Sequence, residues 1–246
     1  MATKIAEDSG IEPDFSRIPR ERLERMAAAG AEIQECYRVL RKTGDNVVGE
    51  ILRHQGTFYE WNHYPKGDAF DPDSNAQWYY HAHPGPTRQA EHGHFHTFLR
   101  PKGMPPGIRP ADVPDLVLPE GPNDALSHLV AIAMDHPGYP TGLFTTNRWV
   151  TGEVWYRAAD VIAMLDLFSI DLARPSWPTN RWITAMIGLF RPQIESLLAA
   201  RDAAVAEWQV GHPDTDVYED RELEVTSVTA ISVDRQLRGI RRALRS

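Results

Sequence analysis

Apolar residues recur at helical spacing near both ends of the chain and in its second half. The first pattern runs from Ser16 to about Leu40, and the last begins at about Val233. A longer pattern extends from Thr179 to about Trp208, where Pro192 is expected to kink or divide the helix because proline lacks the backbone donor. We therefore predict helices at both ends, a long helical region between them and a short helix from Asn46 to His54.

The middle of the chain contains runs rich in β-branched and aromatic residues, which favour strands. The segment from Tyr64 to Asn75 is rich in proline, glycine, aspartate and asparagine, so it is predicted to be a loop. Besides the hairpin described next, strands are predicted at Thr57–His63, Ser127–Asp135, Tyr139–Thr146 and Leu223–Ile231. These elements predict an α+β fold, with an antiparallel sheet of about five or six strands and helices packed on it.

The stretch from Gln77 to Arg100 contains two runs in which histidine occupies alternate positions. Aromatic residues and threonine surround these histidines, so each run is predicted to be a strand, in which residues two apart share a face. Two prolines and a glycine in the segment Pro84–Gln89 predict the bend of a hairpin. The histidines of the hairpin are His81, His83, His92, His94 and His96, five of the ten in the chain.

Antiparallel pairing of the two runs would gather the imidazoles on one face. The predicted register pairs His83 with His92, His81 with His94, and Tyr79 with His96. Directly opposed residues have Cβ atoms roughly 4.5–5.5 Å apart. A slip of one residue would instead place the two runs on opposite faces.

A cluster of imidazoles predicts a metal site, because neutral imidazole is the commonest protein ligand for transition metals. We expect three or four of the five histidines to bind the ion, and Glu91 to be a further ligand or to fix a histidine tautomer. Since Cys36 is the only cysteine, thiolate clusters and intrachain disulfides are excluded. Histidine ligation suits iron, copper, manganese or zinc. The alternative is a polar sheet face whose histidines bond to tyrosines and solvent.

Several functions are compatible with such a site. Three histidine ligands would leave a position open for water, oxygen or a small-molecule substrate, which favours a metal-dependent enzyme. We favour an oxidoreductase over a hydrolase or lyase, with Tyr79 and Arg148 as catalytic residues and Tyr80 nearby. A closed site of four or five histidines would instead serve a metal-binding or metal-sensing protein without turnover. A third hypothesis is a scaffold that binds no metal.

Arg148 lies at a predicted junction between a strand and a helix, with Thr151 as the helix N-cap. Side chains at such junctions often face a cleft. The guanidinium could therefore bind a carboxylate or phosphate of a substrate. A structural salt bridge is equally consistent with the sequence.

The composition is that of a globular protein, with 42% hydrophobic and 24% charged residues. No low-complexity linker divides the 246 residues, so we predict a loose segment over 1–15 followed by one domain over 16–246. The net charge of −8 argues against nucleic acid as a partner. Without a signal peptide or an apolar stretch of about 18 residues, we predict a soluble cytoplasmic protein that binds no membrane.

The segment from Pro101 to Asp124 is too rich in proline and glycine to form a regular strand. Because it follows directly on the second histidine run, it could form a lid over the site. We favour the alternative, an extended crossover packed on the surface.

Three runs of the sequence resemble the signature segments of a bacterial family of unknown function. They are YYHAHPG, EHGHFHTFLR and LFTTNRWVTGE. The resemblance extends from about Thr57 to Phe190, and its histidine motifs are specific. It implies that the histidines form a site, and it implies no established activity.

Overall fold

A computed structural model describes residues 10–83, 91–114 and 116–245 of the protein. Six strands form one sheet, and each strand pairs antiparallel with the next along the chain. The strands are β1 (Tyr64–Phe70), β2 (Ala76–His81), β3 (Gly93–Leu99), β4 (Ser127–Met134), β5 (Pro140–Thr146) and β6 (Val225–Ala230). This arrangement confirms the predicted α+β class and the antiparallel sheet.

Helices from both ends and from the second half of the chain pack on this sheet or on one another. They are α1 (Arg20–Arg41), α2 (Val47–Leu52), α3 (Arg148–Thr151), α4 (Ala158–Met164), α5 (Trp177–Leu189), α6 (Arg191–Gly211) and α7 (Val233–Ala243). The predicted long helix is divided as expected, because Pro192 occupies the first turn of α6 and Phe190 separates it from α5. Within the residues that the structure describes, no helix combines the length and apolar character needed to cross a bilayer.

The first strand does not lie where it is predicted. The segment Thr57–His63 forms no strand, and β1 occupies Tyr64–Phe70 within the predicted loop. Gly67 and Asp68 adopt positive φ angles of 84° and 61°, and the pairing with β2 shifts register around them. The turn-forming residues therefore produce a bulge in an edge strand, a position where sheets tolerate such irregularity.

The two faces of the sheet have different chemistry. On one face Trp78, Tyr80 and Phe95 are buried in the main hydrophobic core together with residues of α1, α2 and α5. The Trp78 indole N–H donates to Asn180 Oδ1 of α5 over 2.9 Å. Successive strand residues point to opposite faces, so packing of Trp78 and Tyr80 against the helices holds their neighbours in β2 toward the other face.

The proline-rich connection between β3 and β4 is held at both ends. Arg100 donates to the Asn123 carbonyl over 3.0 Å and to Asp124 Oδ1 over 2.7 Å. In its middle, the Ala111 N–H donates to the Trp155 carbonyl over 2.8 Å. The described part of this connection is therefore an extended crossover on the surface, and a lid role for it stays a hypothesis.

Candidate metal centre

The β2–β3 hairpin has the predicted register. His81 pairs with His94, and Tyr79 pairs with His96. The bend at Pro84–Gln89 lies outside the described residues. Because paired residues point to the same face, His81, His94, Tyr79 and His96 share the face that does not pack on α1 and α5.

Three imidazoles converge at one end of this face. The Nε2 atom of His81 lies 2.8 Å from His94 Nε2 and 3.2 Å from His83 Nε2. One ring nitrogen of each residue lies within 4.8 Å of the other two. His81 and His94 are 7% and 2% exposed, whereas His83 is half-buried. We call these three residues the histidine triad.

Two of the three nitrogen spacings in the triad fit a shared metal ion. Metal–nitrogen bonds of about 2.0–2.1 Å place neighbouring ligand nitrogens about 2.9–3.4 Å apart in tetrahedral or octahedral coordination. The separations of 2.8 and 3.2 Å around His81 Nε2 correspond closely to this range. A buried histidine cluster that could hold a metal ion is therefore present.

Glu91 supports the triad from behind. Its Oε1 atom lies 2.6 Å from His94 Nδ1, and the carboxylate is only 9% exposed. When the Nδ1–H of His94 donates to this carboxylate, the lone pair of His94 is left on Nε2, which faces the other two histidines. Carboxylate partners of this kind fix the tautomer of a metal ligand and make it more basic.

Replacing Glu91 with glutamine is expected to weaken metal affinity about 10- to 100-fold, because a neutral amide orients His94 less strongly. The measurement is a competition titration of apoprotein against a chelating dye with zinc as the probe. Glu60→Gln, which removes an exposed carboxylate, serves as the control. Equal affinities for the Glu91 variant and wild type would show that Glu91 does not support a ligand.

The structure places His92 apart from the triad. Its Nδ1 lies 2.6 Å from the Tyr80 hydroxyl, and its ring stacks on Phe58 with centroids 5.5 Å apart. Burial, together with the nearby His136, lowers the pKa of His92. His92 precedes β3, so the alternation of side chains along a strand does not apply to it. Its side chain lies on the same face of the sheet as Tyr80.

His96 shares the face of the triad but has a different partner. Its Nδ1 lies 3.0 Å from His128 Nε2, and its ring centroid lies 4.9 Å from that of His94. Its Nε2 is buried and has no hydrogen-bond partner among the described residues. Complete burial, reinforced by the neighbouring histidines, lowers the pKa of His96 well below its ordinary value. His96 is therefore a neutral imidazole.

A bulge in β4 brings His128 to this face. Thr97 pairs with Val130 but Phe98 pairs with His128, so Leu129 is an extra residue in the ladder. Strict alternation places His128 with Val130 on the apolar face, where a core histidine is expected. The bulge reverses that assignment and adds a buried imidazole whose pKa is lowered by desolvation to about 3.

Glu153 is a further buried polar residue that the sequence analysis does not identify as part of the site. Its Oε2 accepts the His128 backbone N–H over 2.7 Å, while its buried Oε1 has no partner among the described residues. Desolvation raises the pKa of Glu153 to about 8, against a smaller opposing effect of Arg201. Its contact with β4 crosses 25 residues of sequence, and no local pattern signals it.

Tyr79 and His63 border the triad on the side of β1. The Tyr79 ring lies edge-on to His81 and tilted against His96, with centroids 5.3 and 5.1 Å away. His63 stacks on Tyr79 with a centroid distance of 3.6 Å, and its Nδ1 lies 3.0 Å from Asp68 Oδ1. Burial raises the pKa of Tyr79, so its hydroxyl stays protonated.

Arg148 is engaged by two carboxylates. Its guanidinium lies 2.9 Å from Glu219 and 3.3 Å from Asp216, and its side chain is 11% exposed. These contacts form the structural salt bridge that the sequence analysis gives as the alternative to substrate binding by Arg148.

The N-cap of α3 is Asn147, whose side chain accepts the Arg148 N–H, so the prediction that Thr151 caps a helix is wrong. Thr151 instead ends α3, because Gly152 takes up the left-handed conformation directly after it.

Gly93 allows the two histidine strands to approach closely. A Cβ atom at this position would lie 2.5 Å from the His81 carbonyl oxygen and 2.6 Å from the Tyr80 hydroxyl. Gly93→Ala is therefore expected to destabilise the protein by about 1–3 kcal/mol, measured by urea unfolding. Gly211→Ala meets no atom within 4 Å and should not destabilise the protein. Equal stabilities of the Gly93 variant and wild type would contradict the close approach.

Together these elements define an α+β protein with a buried histidine cluster on an antiparallel sheet whose strands follow chain order. The chain belongs to the family described as Domain of unknown function (DUF6969), which matches residues 27–231. This membership confirms the resemblance to an uncharacterised family and assigns no activity. No curated protein and no solved structure matches the chain.

Proposed function

We propose that the protein binds a transition-metal ion through His81, His83 and His94 and uses it as a metal-dependent enzyme. The observation that carries this proposal is the convergence of three imidazole nitrogens, two of them 2.8 and 3.2 Å from His81 Nε2. Imidazoles in such contact within a buried site repel one another once protonated, and a shared cation makes use of their lone pairs. Iron, copper, manganese and zinc all accept this ligand set.

Three protein ligands leave coordination positions open, and this distinguishes catalytic from closed structural sites. When bound, the ion would supply a Lewis acid or an electron-transfer centre. Tyr79 shields one side of the triad from water and offers a protonated hydroxyl. His96, a neutral imidazole on the same face, presents Nε2 as a hydrogen-bond donor or acceptor, according to its tautomer. We favour an oxidoreductase acting on a small molecule, and a hydrolase or lyase follows if the metal is zinc.

A second candidate is a metal-binding or metal-sensing protein without turnover. The observation that favours it is the burial of His81 and His94, which are only 7% and 2% exposed. A structural site gains from such burial, whereas a catalytic site needs access for a substrate. The exposed edge of His83 is what favours the enzyme.

The proposal is tested by elemental analysis of protein purified without a histidine tag and of apoprotein reconstituted with each of the four metals. About one equivalent of a bound metal is expected. Iron, copper or manganese would direct the search to redox assays, and zinc to hydrolysis and elimination. Protein that carries no metal and takes up none on reconstitution would overturn the proposal for both candidate functions.

A further inference from the structure

A cavity separate from the histidine triad lies between the described start of the chain, α6 and α7. Its volume is about 570 Å³, within the range of roughly 300–1,000 Å³ that small-molecule sites occupy. Residues Gly10–Pro13 form one wall and Ala230–Ser232 another. None of the triad residues lines it, so a ligand here would be held by a different part of the fold.

One side of this cavity is strongly basic. Arg235, Arg238 and Arg242 line it, and their spacing of three and four residues places them on the same face of α7. From Val233 to Arg245 the chain carries five arginines and one acid, Asp234, although the whole protein has a net charge of −8. Like charges at this spacing destabilise a helix, and an anion between them would remove that cost.

Two of the three cavity arginines are available to a ligand. Arg235 lies 3.3 Å from Glu12, and this exposed pair neutralises one charge. Neither Arg238 nor Arg242 forms an ion pair with any residue in the described part of the chain, and both are exposed. Two free guanidiniums match the charge of a phosphate monoester, about −1.5 to −2 at neutral pH.

The remaining lining favours an organic group next to the anion. Phe15, Phe190 and Ile231 provide apolar surface, and Phe15 packs directly on Gly239. Gln193 and Gln236 are buried at the cavity, where the Gln193 amide donates to Gln236 Oε1 over 2.7 Å. The two hydrogen-bonded glutamines thus form the floor of the cavity, and the arginines form its rim. This arrangement suits a ligand with an apolar body and a charged end.

We propose that this cavity binds a small organic phosphate monoester. Arg238 and Arg242 bind its phosphate through charge-assisted hydrogen bonds, and its apolar part lies against Phe15 and Phe190. The site requires no metal ion and is independent of the histidine triad.

The test is isothermal titration calorimetry with phenyl phosphate in the presence of EDTA, alongside inorganic phosphate and phenol. Phenyl phosphate should bind with a Kd of about 1 mM or tighter. Inorganic phosphate should bind more weakly because it lacks the ring, and phenol should not bind measurably because it lacks the charge. No heat of binding from phenyl phosphate would overturn the proposal.

Two double variants with the same change of charge locate the site. Arg238→Gln/Arg242→Gln should weaken phenyl phosphate binding at least about tenfold, the loss expected when charge-assisted hydrogen bonds are removed. Arg241→Gln/Arg245→Gln, at the end of α7 and just beyond it but outside the cavity lining, should change the affinity less than about twofold. Equal weakening in both variants would show that phenyl phosphate responds only to the general charge of α7, and would refute a built site.

Discussion

The double variant His81→Ala/His94→Ala is expected to lose metal binding almost completely. Apparent binding free energies of about 10–16 kcal/mol for four-ligand zinc sites correspond to about 3 kcal/mol per ligand. Removing two of three ligands should therefore cost about 6 kcal/mol, or roughly 10⁴-fold in affinity. The measurement is elemental analysis after purification, followed by titration of the apoprotein with the metal found in the wild type.

A histidine from the same hairpin provides the matched control. In His92→Gln the amide can still bond to the Tyr80 hydroxyl, and the triad is untouched. This variant should retain the wild-type metal content and affinity. If His92→Gln loses metal as the double variant does, His92 is a ligand and the triad is not the complete site. If the double variant keeps its metal, the ligands lie elsewhere in the protein.

Replacing Glu153 with glutamine is expected to remove a loss of stability that the wild type shows as pH rises. Burial raises the pKa of Glu153 to about 8 in the folded protein, above its ordinary value of 4.5. The unfolded chain therefore binds fewer protons than the native state between these two pH values, and stability falls as pH rises through that window. Between pH 6.5 and 8 the loss should be about 1.5 kcal/mol.

Comparison with the variant separates Glu153 from the buried histidines. Desolvation lowers the pKa of His128 to about 3, so its effect has the opposite sign, and part of the stability lost by its burial is still being recovered between pH 6.5 and 8. This gain is common to wild type and Glu153→Gln. Urea unfolding in EDTA should therefore show that wild type loses about 1.5 kcal/mol relative to Glu153→Gln between pH 6.5 and 8. The control Glu207→Gln, an exposed carboxylate of α6, should keep the wild-type pH dependence. A difference in stability between wild type and Glu153→Gln that does not change with pH would refute the buried, protonated carboxyl.

The hairpin could be predicted from sequence because its signals are local. Alternation of histidine and aromatic residues determines the faces of β2 and β3, and the observed pairs of Tyr79 with His96 and His81 with His94 have the predicted register. The C-terminal helix from Val233 and the division near Pro192 follow from equally local rules. Each of these predictions depends on residues that are close together in the chain.

The remaining features depend on contacts that no local pattern encodes. The extra residue at Leu129 shifts His128 to the histidine face. A prediction from the alternation of side chains assumes a strand without bulges, so it places His128 on the wrong face. Turn-forming residues around Gly67 and Asp68 belong to an irregular edge strand, so the composition predicts a loop where β1 lies. Glu153 reaches the site through one hydrogen bond to the β4 backbone. Tertiary packing determines all three.

The three triad histidines lie close together in the sequence, and this determines when during synthesis they are all present. His81 and His94 are 13 residues apart, and His83 lies between them, so every triad ligand has been synthesised once β3 is complete. A hairpin of two strands is only marginally stable by itself in water, and α5, which later packs on its other face, has yet to be made. An ion captured at that stage would cross-link the nascent hairpin before the core exists. The order of synthesis would therefore allow the proposed metal ion to bind ahead of the final folding step.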